Sequence, residues 1–416
     1  MDALSSSPGS LSSAARAPWL TIVGIGEDGR AGLSPAAAAA LDAAEFVAGG
    51  ARHLALAAPL AAQTFAWPSP IAEGYEAILA RRGRPTCVVA SGDPFHYGIG
   101  AELAKRLPAD EIRAYPHPSA FSLAAARLGW SIPDCALVSL HGRALSRIVP
   151  ELVPGARILA LTSDGTTAAQ VAAMLVARGM GASRLVVLEA LGGPRERVRA
   201  AQAEGFALAD IDPLNLVAIE VAGGAEAIAL PRAAGLDDAL FENDGQLTKA
   251  EIRAITLAAL RPLPGGLLWD VGIGAGSVAI EWCLAHPRNR ALGLEERPDR
   301  AARARVNAER LGAAALEIHD GVAPDGLSGW PAPDAIFVGG GAGDPGVVDA
   351  CWAALKPGGR IVINAVSLET EAILARLHAA HGGAMRRIAI SRLDRVGTMH
   401  GWRPAMPVTQ WVAVKG

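Results

Sequence analysis

The sequence predicts two consecutive α/β domains, of which the second is built on a doubly wound parallel sheet. Strand-like and helix-like segments alternate through both halves, and glycine-rich turns follow several strands. With 416 residues, 51% of them hydrophobic, the chain has enough material for about two or three domains. Strong periodicity lapses at 223–246, where turn-forming residues gather. We therefore expect a first domain over 18–222, a linker at 223–246 and a second domain over 247–416.

Five strand-like runs alternate with helical segments in the second half, with strands at 267–271, 291–295, 315–319, 334–338 and 360–365. The helical segments include 298–311 and 345–355, and a final strand at 409–414 contains Trp411. Such alternation predicts a doubly wound parallel sheet. Before the first strand, Thr248 and Glu251 have the spacing of a capping box, which predicts that a helix begins there.

The first strand of the second half ends in an acid, Asp270, and runs into a compact glycine turn formed by Gly272, Gly274 and Gly276. A dinucleotide-binding turn would carry its third glycine at the position of Ser277. The tighter spacing lets the backbone approach the amino-acid end of a nucleotide-like cofactor. Glu295 ends the next strand, roughly 20 residues past the turn, where an acid that binds ribose is expected.

This arrangement resembles the S-adenosylmethionine site of class I, Rossmann-like methyltransferases. The resemblance implies that Asp270 and the three glycines hold the amino-acid end of the cofactor and that Glu295 holds the ribose. Asp320 and Gly321, which end the third strand, are adenine-side candidates. Two alternatives stay open: the turn could merely pack a helix on a strand, and Asp320 could only cap a turn.

Glycine-containing and polar loops also follow the predicted strands of the first half. Strand 19–23 runs into Gly24-Ile25-Gly26, and strand 86–90 runs into Gly92-Asp93-Pro94-Phe95-His96. Further loops contain Ser119 and Ala120, His141 and Arg143, and Thr162. Because ligands bind at the carboxyl ends of strands in open α/β sheets, these loops together predict one composite pocket. Taken singly, each is also ordinary turn chemistry.

These loops are similar to those of the tetrapyrrole (corrin/porphyrin) methylase family, which are class III S-adenosylmethionine methyltransferases, over about residues 18–222. The second half, with Leu-Trp-Asp-Val-Gly-Ile-Gly-Ala-Gly-Ser at 268–277 and Leu-Lys-Pro-Gly-Gly-Arg at 355–360, resembles the decarboxylating precorrin methyltransferases. The two resemblances imply a class III tetrapyrrole methylase fold followed by a Rossmann-like class I methyltransferase domain.

The first resemblance also implies site residues. It places a second S-adenosylmethionine molecule against the loop and helix positions Gly92, Asp93, His96, Ser119, Ala120 and Thr162. His141 and Arg143 fall on the substrate side, where a histidine can exchange a proton and an arginine offers a fork of donors to carboxylates. Alternatively, Asp93 only caps its loop, and His141 and Arg143 are surface residues.

The combined resemblance implies methylation of a reduced precorrin-6 at meso carbons 5 and 15, with decarboxylation of the ring C acetate, in cobalamin biosynthesis. A substrate with several carboxylates needs cations, and the C-terminal part carries Arg386, Arg387, Arg392, Arg395, His400 and Arg403. His400 is a candidate proton donor. The electrons left by decarboxylation pass into an adjacent imine-like system of the substrate, so no metal is expected.

Composition and net charge bear on the alternative functions. RNA methylation is disfavoured because the net charge is −3 and only 5% of residues are aromatic, which leaves little for phosphate neutralisation or base stacking. A fusion with one non-catalytic, scaffolding half stays open. We expect neither nucleic-acid nor membrane binding, a cytoplasmic location, a homo-oligomer, a disordered tail at 1–17 and four separate, reduced cysteines.

Overall fold

The computed structural model describes residues 18–416, so the tail predicted at 1–17 lies outside the described residues. The chain divides into two compact units. The first unit runs to Gly142 and resumes over Gly155–Glu226, whereas the second consists of Arg143–Pro154 and Ala227–Gly416. In the described part of the chain, no helix is long and apolar enough to cross a membrane.

The first sheet of the first unit is wholly parallel. Its strands are β1 (Leu20–Ile25), β2 (Phe46–Gly49), β3 (Gln63–Ala66), β4 (Thr86–Ser91) and β5 (Ile112–Tyr115). They lie in the order β3-β2-β4-β1-β5. The connecting helices are α1 (Pro35–Asp42), α2 (Ala51–Ala57), α3 (Ala72–Leu79) and α4 (Ile99–Ala104). The central strands are apolar and buried, as parallel strands covered on both faces require.

The helix α5 (Ala120–Leu128) leads into the second sheet of the first unit. That sheet contains β6 (Cys135–Ser139), β7 (Arg157–Leu161), β8 (Arg184–Glu189), β9 (Arg197–Gln202) and β10 (Asn215–Glu220), with α6 (Thr167–Ala177) between β7 and β8. The order is β6-β7-β10-β8-β9; β6 and β7 pair in parallel and the other pairs are antiparallel. Phe121 of α5 packs in the core of this sheet.

The second unit has a seven-stranded sheet. Its elements are α7 (Ala250–Leu260), β11 (Leu267–Val271), α8 (Ser277–Ala285), β12 (Arg290–Glu295), α9 (Pro298–Leu311), β13 (Leu316–Asp320), β14 (Ala335–Val338), α10 (Val347–Ala354), β15 (Arg360–Ala365), α11 (Leu368–His381), β16 (Ala384–Ile388), β17 (Ser391–Val396), β18 (Met399–Pro404) and β19 (Val408–Val414). The order is β13-β12-β11-β14-β15-β19-β16. β17 and β18 form a separate hairpin.

The strands predicted for the second half are confirmed, including the final strand with its buried Trp411. β19 runs antiparallel between β15 and β16, and the five strands from β13 to β15 are parallel. The chain order reverses between β11 and β14. Such a switch point leaves a crevice at the carboxyl ends of the strands, where ligands of doubly wound sheets bind.

The predicted capping box is wrong. Helix α7 begins one residue later, with Lys249 at its N-cap and no side-chain cap. The backbone of Thr248 and the carboxylate of Glu251 have other partners. The Thr248 carbonyl accepts a hydrogen bond from Arg253 Nη1 at 2.5 Å, and the Glu251 carboxylate pairs with Arg392 at 2.5 Å.

The segment 235–246, part of the predicted linker, is hydrogen-bonded to the helices of the second unit. The carboxylate of Glu281 on α8 accepts from the backbone amides of Gly235 (2.7 Å) and Leu236 (2.9 Å), and it pairs with the buried Arg253 at 2.5 Å. On α9, Asn307 bonds the backbone of Glu242 through both its carbonyl and its amide group. These contacts fix the path of the chain toward α7.

Candidate active sites

A cavity of about 560 Å³ opens at the carboxyl ends of β11, β12, β14 and β15 in the second unit. Its wall includes five of the seven cofactor residues that the sequence predicts for the second half: Asp270, Gly272, Gly274, Glu295 and Gly321. The glycine turn, the acid that follows β12 and the residue that follows β13 therefore come together as predicted from their positions at the ends of adjacent strands.

The glycine turn has backbone conformations that side chains with a Cβ rarely adopt. Gly272 has φ +72°, and a Cβ there would lie 3.1 Å from the backbone of Gly340. Gly274 has φ +58°, but a Cβ there would meet no atom within 4 Å. Gly272 is thus needed for the close approach of two loops, whereas Gly274 leaves its backbone open to the cavity.

Asp270 and Glu295, the two acids predicted to bind the cofactor, differ in their hydrogen bonds. Asp270 is buried, and its Oδ2 accepts from the Ala279 amide at 3.1 Å while its Oδ1 has no hydrogen-bond partner in the described structure. Burial, reinforced by the nearby Glu295, raises the pKa of Asp270 to about 8. Glu295 accepts from the Gly274 amide at 2.8 Å and so ties the glycine turn to β12.

Two predicted residues lie beside the cavity and are not part of its lining. Gly276 precedes α8 with φ +80°, and a Cβ there would face Ala304 of α9 at 3.3 Å. The carboxylate of Asp320 pairs with Arg305 at 3.1 Å. The neighbouring Gly321 does line the cavity.

These features fit S-adenosylmethionine. The unpaired oxygen of Asp270 offers an acceptor to a cationic amino-acid end, and the open position at Gly274 leaves room for the ligand against the backbone. The other carboxylate oxygen of Glu295 accepts a longer hydrogen bond from the Arg297 amide, at 3.3 Å. Glu295 also lines the cavity beside the glycine turn. Asp270, Gly272, Gly274 and Glu295 are therefore the residues that would hold the cofactor.

The opposite side of the cavity, over β14, β15 and β19, is lined mainly by apolar and backbone groups. It includes Phe337, Val366, Met406 and Val408, together with the turn at 339–341 and the amide of Asn364. Val366 and Met406 are 55% and 69% exposed, so they form an open apolar edge. This side of the cavity has the character expected for a large, partly apolar acceptor.

Of the predicted C-terminal cations, Arg392 lines the cavity, and it is paired with Glu251. Arg387 pairs with Glu371 at 3.2 Å and Arg403 with Asp394 at 3.1 Å. Arg395 and His400 lie opposite each other on the exposed hairpin, and Arg386 is exposed on β16. The described residues contain no cluster of metal-ligating side chains.

In the first unit, the loops after β1, β4 and β5 converge. The Gly92 amide donates to the Ile25 carbonyl at 3.0 Å, and the His117 amide donates to the Gly92 carbonyl at 3.2 Å. Gly92 has φ +54°, and a Cβ there would lie 3.1 Å from Ser119 Cα. The close packing of these loops explains why glycine occupies this position.

The predicted cofactor residues of the first unit lie around the start of α5. Ser119 is the N-cap of this helix, and its hydroxyl accepts from the Ser122 amide at 3.2 Å, with Ala120 at the first helical position. The Asp93 carboxylate accepts a hydrogen bond from the Phe95 amide at 2.8 Å. This contact corresponds to the alternative in which Asp93 caps its own loop. The His96 ring stands 4.7 Å from that of Phe121, so its imidazole packs against α5.

Thr162 and His141 meet at the ends of β6 and β7. Thr162 is buried and its hydroxyl donates to the Asn215 carbonyl at 2.7 Å, whereas His141 Nδ1 lies 3.3 Å from the Thr162 carbonyl oxygen. Arg143 is exposed and belongs to the second unit, together with the 3₁₀ helix at Leu145–Glu151.

Sequence reasoning missed several polar residues. Glu27, two residues after the end of β1, pairs with both Arg52 and Arg195, and Arg195 also pairs with Asp212. In the second unit it missed Thr256, Asn364 and Gln410, which hydrogen-bond one another behind the cavity wall. A signal for the last two exists: each is an amide side chain inside a largely apolar strand.

The strand order of the second unit, its glycine turn and Glu295 define a class I S-adenosylmethionine-dependent methyltransferase domain. The family described as Tetrapyrrole (Corrin/Porphyrin) Methylases matches residues 19–207, and the family described as Precorrin methyltransferase domain matches 239–415. The chain thus joins two different kinds of methyltransferase.

A precorrin-6Y C(5,15)-methyltransferase (decarboxylating) of Sinorhizobium sp is 53% identical over 400 residues, covering 96% of this chain and 97% of the relative. The chain belongs to this family. Two shorter relatives come from Salmonella typhimurium (strain LT2). A cobalt-precorrin-7 C(5)-methyltransferase is 36% identical, covering 43% of this chain and 88% of the relative. A cobalt-precorrin-6B C(15)-methyltransferase (decarboxylating) is 33% identical, covering 39% of this chain and 85% of the relative.

Proposed function

We propose that the chain catalyses S-adenosylmethionine-dependent methylation of precorrin-6Y, a reduced precorrin-6, at meso carbons 5 and 15, and removes the carboxyl group of the ring C acetate, in cobalamin biosynthesis. The observation that carries the proposal is the similarity to the Sinorhizobium enzyme over nearly the full length of both chains. The cavity at the β11–β14 switch point, which contains the glycine turn, Asp270 and Glu295, supplies a site for the methyl transfer.

We assign one reaction to each unit. The first unit methylates carbon 5, and the second methylates carbon 15 and decarboxylates the acetate. Two observations support this division: the family matches fall on separate halves, and two separate Salmonella relatives carry names for the C(5) and the decarboxylating C(15) reactions. Each unit then needs its own cofactor site, which gives two sites per chain.

In the second unit, the protein's task is to position two reactants. S-adenosylmethionine supplies an electrophilic methyl group on a sulfonium whose leaving thioether is neutral. Asp270, Gly274 and Glu295 hold and orient the cofactor end of the cavity, and the side over β14 and β15 receives the acceptor carbon. Holding an oriented pair of reactants contributes on the order of 7–11 kcal/mol at best.

Decarboxylation needs a bound carboxylate that is poorly solvated and a way to protonate the product. Val366 and Met406 place apolar surface at the mouth of the cavity, which the bound substrate would have to cover to lower the solvation of that carboxylate. The electrons pass into the substrate's own conjugated system, so the chain need not supply an electron sink. His400 stays the predicted proton donor, from its exposed position on the hairpin.

In the first unit, we propose that the loop at Gly92 and the start of α5 hold the second cofactor. Asp93 and Ser119 shape that site through their turn and cap, and His96 packs beside it. His141 is proposed on the substrate side of this unit. Arg143, which belongs to the second unit, stays a predicted substrate residue. A homo-oligomeric state and a cytoplasmic location stay predictions.

Mass analysis of the product tests the proposal. The purified full chain, given precorrin-6Y and S-adenosylmethionine, is expected to add two methyl groups and to release one carbon dioxide per substrate molecule. A variant with Gly274→Val is expected to add one methyl group and to release none. An unchanged tetrapyrrole with the wild-type chain contradicts the function, and full activity on RNA instead favours the alternative that the charge argued against.

A further inference from the structure

Three polar side chains form a hydrogen-bonded group behind the acceptor side of the cavity in the second unit. Thr256 comes from α7, Asn364 from β15 and Gln410 from β19, where Asn364 and Gln410 are directly opposite in the antiparallel register. Asn364 Nδ2 donates to Thr256 Oγ1 at 3.0 Å. Gln410 Nε2 donates both to Thr256 Oγ1 at 3.2 Å and to Asn364 Oδ1 at 3.0 Å.

Two members of this group are completely buried. Thr256 and Gln410 are 0% exposed, and Gln410 Oε1 has no hydrogen-bond partner in the described structure. An unsatisfied buried carbonyl is unfavourable by about 1–3 kcal/mol. Replacing such groups with apolar side chains of similar shape is often nearly neutral. Burying them is therefore hard to explain as a stabilising device, and it points to a role for the third member.

Asn364 is the member of the group that lines the cavity. A primary amide has two N–H donors and an oxygen that accepts two hydrogen bonds. Asn364 donates one N–H to Thr256, and its oxygen accepts one hydrogen bond from Gln410. These two contacts fix both ends of the amide plane. One N–H and one lone pair remain available for a ligand, in an orientation that the buried partners determine.

Asn364 lies on the acceptor side of the cavity. The glycine turn and Glu295, which fit the cofactor, follow β11 and β12, whereas Asn364 is near the carboxyl end of β15, beyond β14 in the sheet. Its neighbours in the lining include the exposed apolar Val366 and Met406. A polar donor placed within an apolar edge is suited to orient one polar group of a large ligand.

We propose that Asn364 binds a carboxylate of the tetrapyrrole through its free amide N–H, and that Thr256 and Gln410 are positioning residues that hold the amide. The inference rests on the proposed function and assigns the substrate contact for the C15 reaction. Because the group that is bound is an anion, a negative charge at position 364 opposes binding more than the mere loss of the amide does.

Asn364→Ala and Asn364→Asp test the contact in the full-length protein at pH 8. The expected rise in KM for precorrin-6Y in the C15 methylation is about tenfold to a hundredfold for the alanine variant, and larger for the nearly isosteric aspartate variant. Direct titration with precorrin-6Y, with product formation prevented by S-adenosylhomocysteine, should show the same order of affinities. The affinity for S-adenosylhomocysteine and the C5 methylation should stay within twofold of the wild type.

Two substitutions of Thr256, to valine and to serine, test its positioning role. Thr256→Val keeps the shape of the side chain but removes the hydroxyl, so KM for the C15 reaction should rise, by less than in the Asn364 variants. Thr256→Ser keeps the hydroxyl and should restore a KM near that of the wild type. A purely structural role would instead change the melting temperature without separating these two variants in KM.

Equal KM values in the wild type and both Asn364 variants would overturn the proposal, as would an aspartate variant that binds the tetrapyrrole better than the alanine variant. A matching loss of S-adenosylhomocysteine affinity would place Asn364 at the cofactor and also overturn it. Failure of the proposed function has a different signature, because the wild-type chain itself would then not convert precorrin-6Y.

Discussion

Gly274 illustrates how one residue limits the second active site. Its φ of +58° disfavours any side chain, and a Cβ would project into the open cavity. We expect Gly274→Ala to lower the affinity for S-adenosylhomocysteine at least tenfold. Gly265→Ala is the matched control, because Gly265 has φ +88° and open space around it but is not part of the cavity lining. Both changes strain the backbone by about 1–2 kcal/mol, so equal affinities in titration calorimetry would refute the assignment.

Asp270 gives the second unit a pH dependence. Its folded-state pKa of about 8 lies above the unfolded value near 3.8, so the folded protein binds the extra proton. Stability of the cofactor-free protein should therefore fall as the pH rises from about 4 to about 8, and Asp270→Asn should remove that slope. Urea denaturation across this range measures it; a wild-type curve that coincides with that of the variant would contradict the burial argument.

The same carboxyl group couples cofactor binding to a proton. A cationic ligand beside Asp270 favours the ionised form, so binding of S-adenosylmethionine at pH 7 should release part of a proton. Calorimetry in two buffers of different ionisation enthalpy measures the release. Asp270→Asn should abolish it, and identical heats in the two buffers for the wild type would rule it out.

At the scale of elements, the buried Arg253–Glu281 pair holds segment 235–246 to α7 and α8. Their side chains are 0% and 3% exposed, and Glu281 also accepts from two backbone amides. Glu281→Gln removes the buried negative charge beside Arg253, which keeps its pair with Asp238 at 3.1 Å, and should reduce stability by about 1–3 kcal/mol. Glu242→Gln, which alters an exposed pair with Arg310, should change it by about 0–1 kcal/mol. Denaturation of both variants provides the comparison, and equal losses would deny the pair its anchoring role.

Elements with regular patterns could be predicted from the sequence. The apolar runs of β11, β12, β14, β15 and β19 predicted the sheet of the second unit, because strands buried on both faces tolerate few polar residues. The start of α7 could not be predicted, since Arg253 competes for the Thr248 carbonyl from a position that only tertiary packing defines. For the same reason, nothing local indicated that 235–246 packs on the helices of the second unit.

The same contrast between local patterns and tertiary contacts applies to the candidate site. Asp270, Gly274 and Glu295 line one cavity, as their positions predicted, because the glycine spacing and strand ends are local features. Asn364 was missed because its role depends on Thr256 and Gln410, which lie 108 and 46 residues away in the chain. Long-range hydrogen bonds of this kind leave only a weak local sign, a polar residue within an apolar strand.

On the scale of the whole molecule, we propose that one chain carries two independent methyltransferase sites. Each compact unit has its own sheet, and the family matches divide at the same region of the chain. A change in the glycine turn of the second unit should therefore leave the first methylation intact. This independence distinguishes a double enzyme from a fusion with one non-catalytic half.

The most direct measurement is the number of S-adenosylhomocysteine molecules bound per chain, by calorimetry, in the wild-type protein and in Gly274→Val. Two sites are expected in the wild type and one in the variant, because a branched side chain at φ +58° projects into the second-unit cavity, and Gly274 belongs to the second unit. A single site in the wild type, or the loss of both in a folded variant, would contradict the claim of two independent sites.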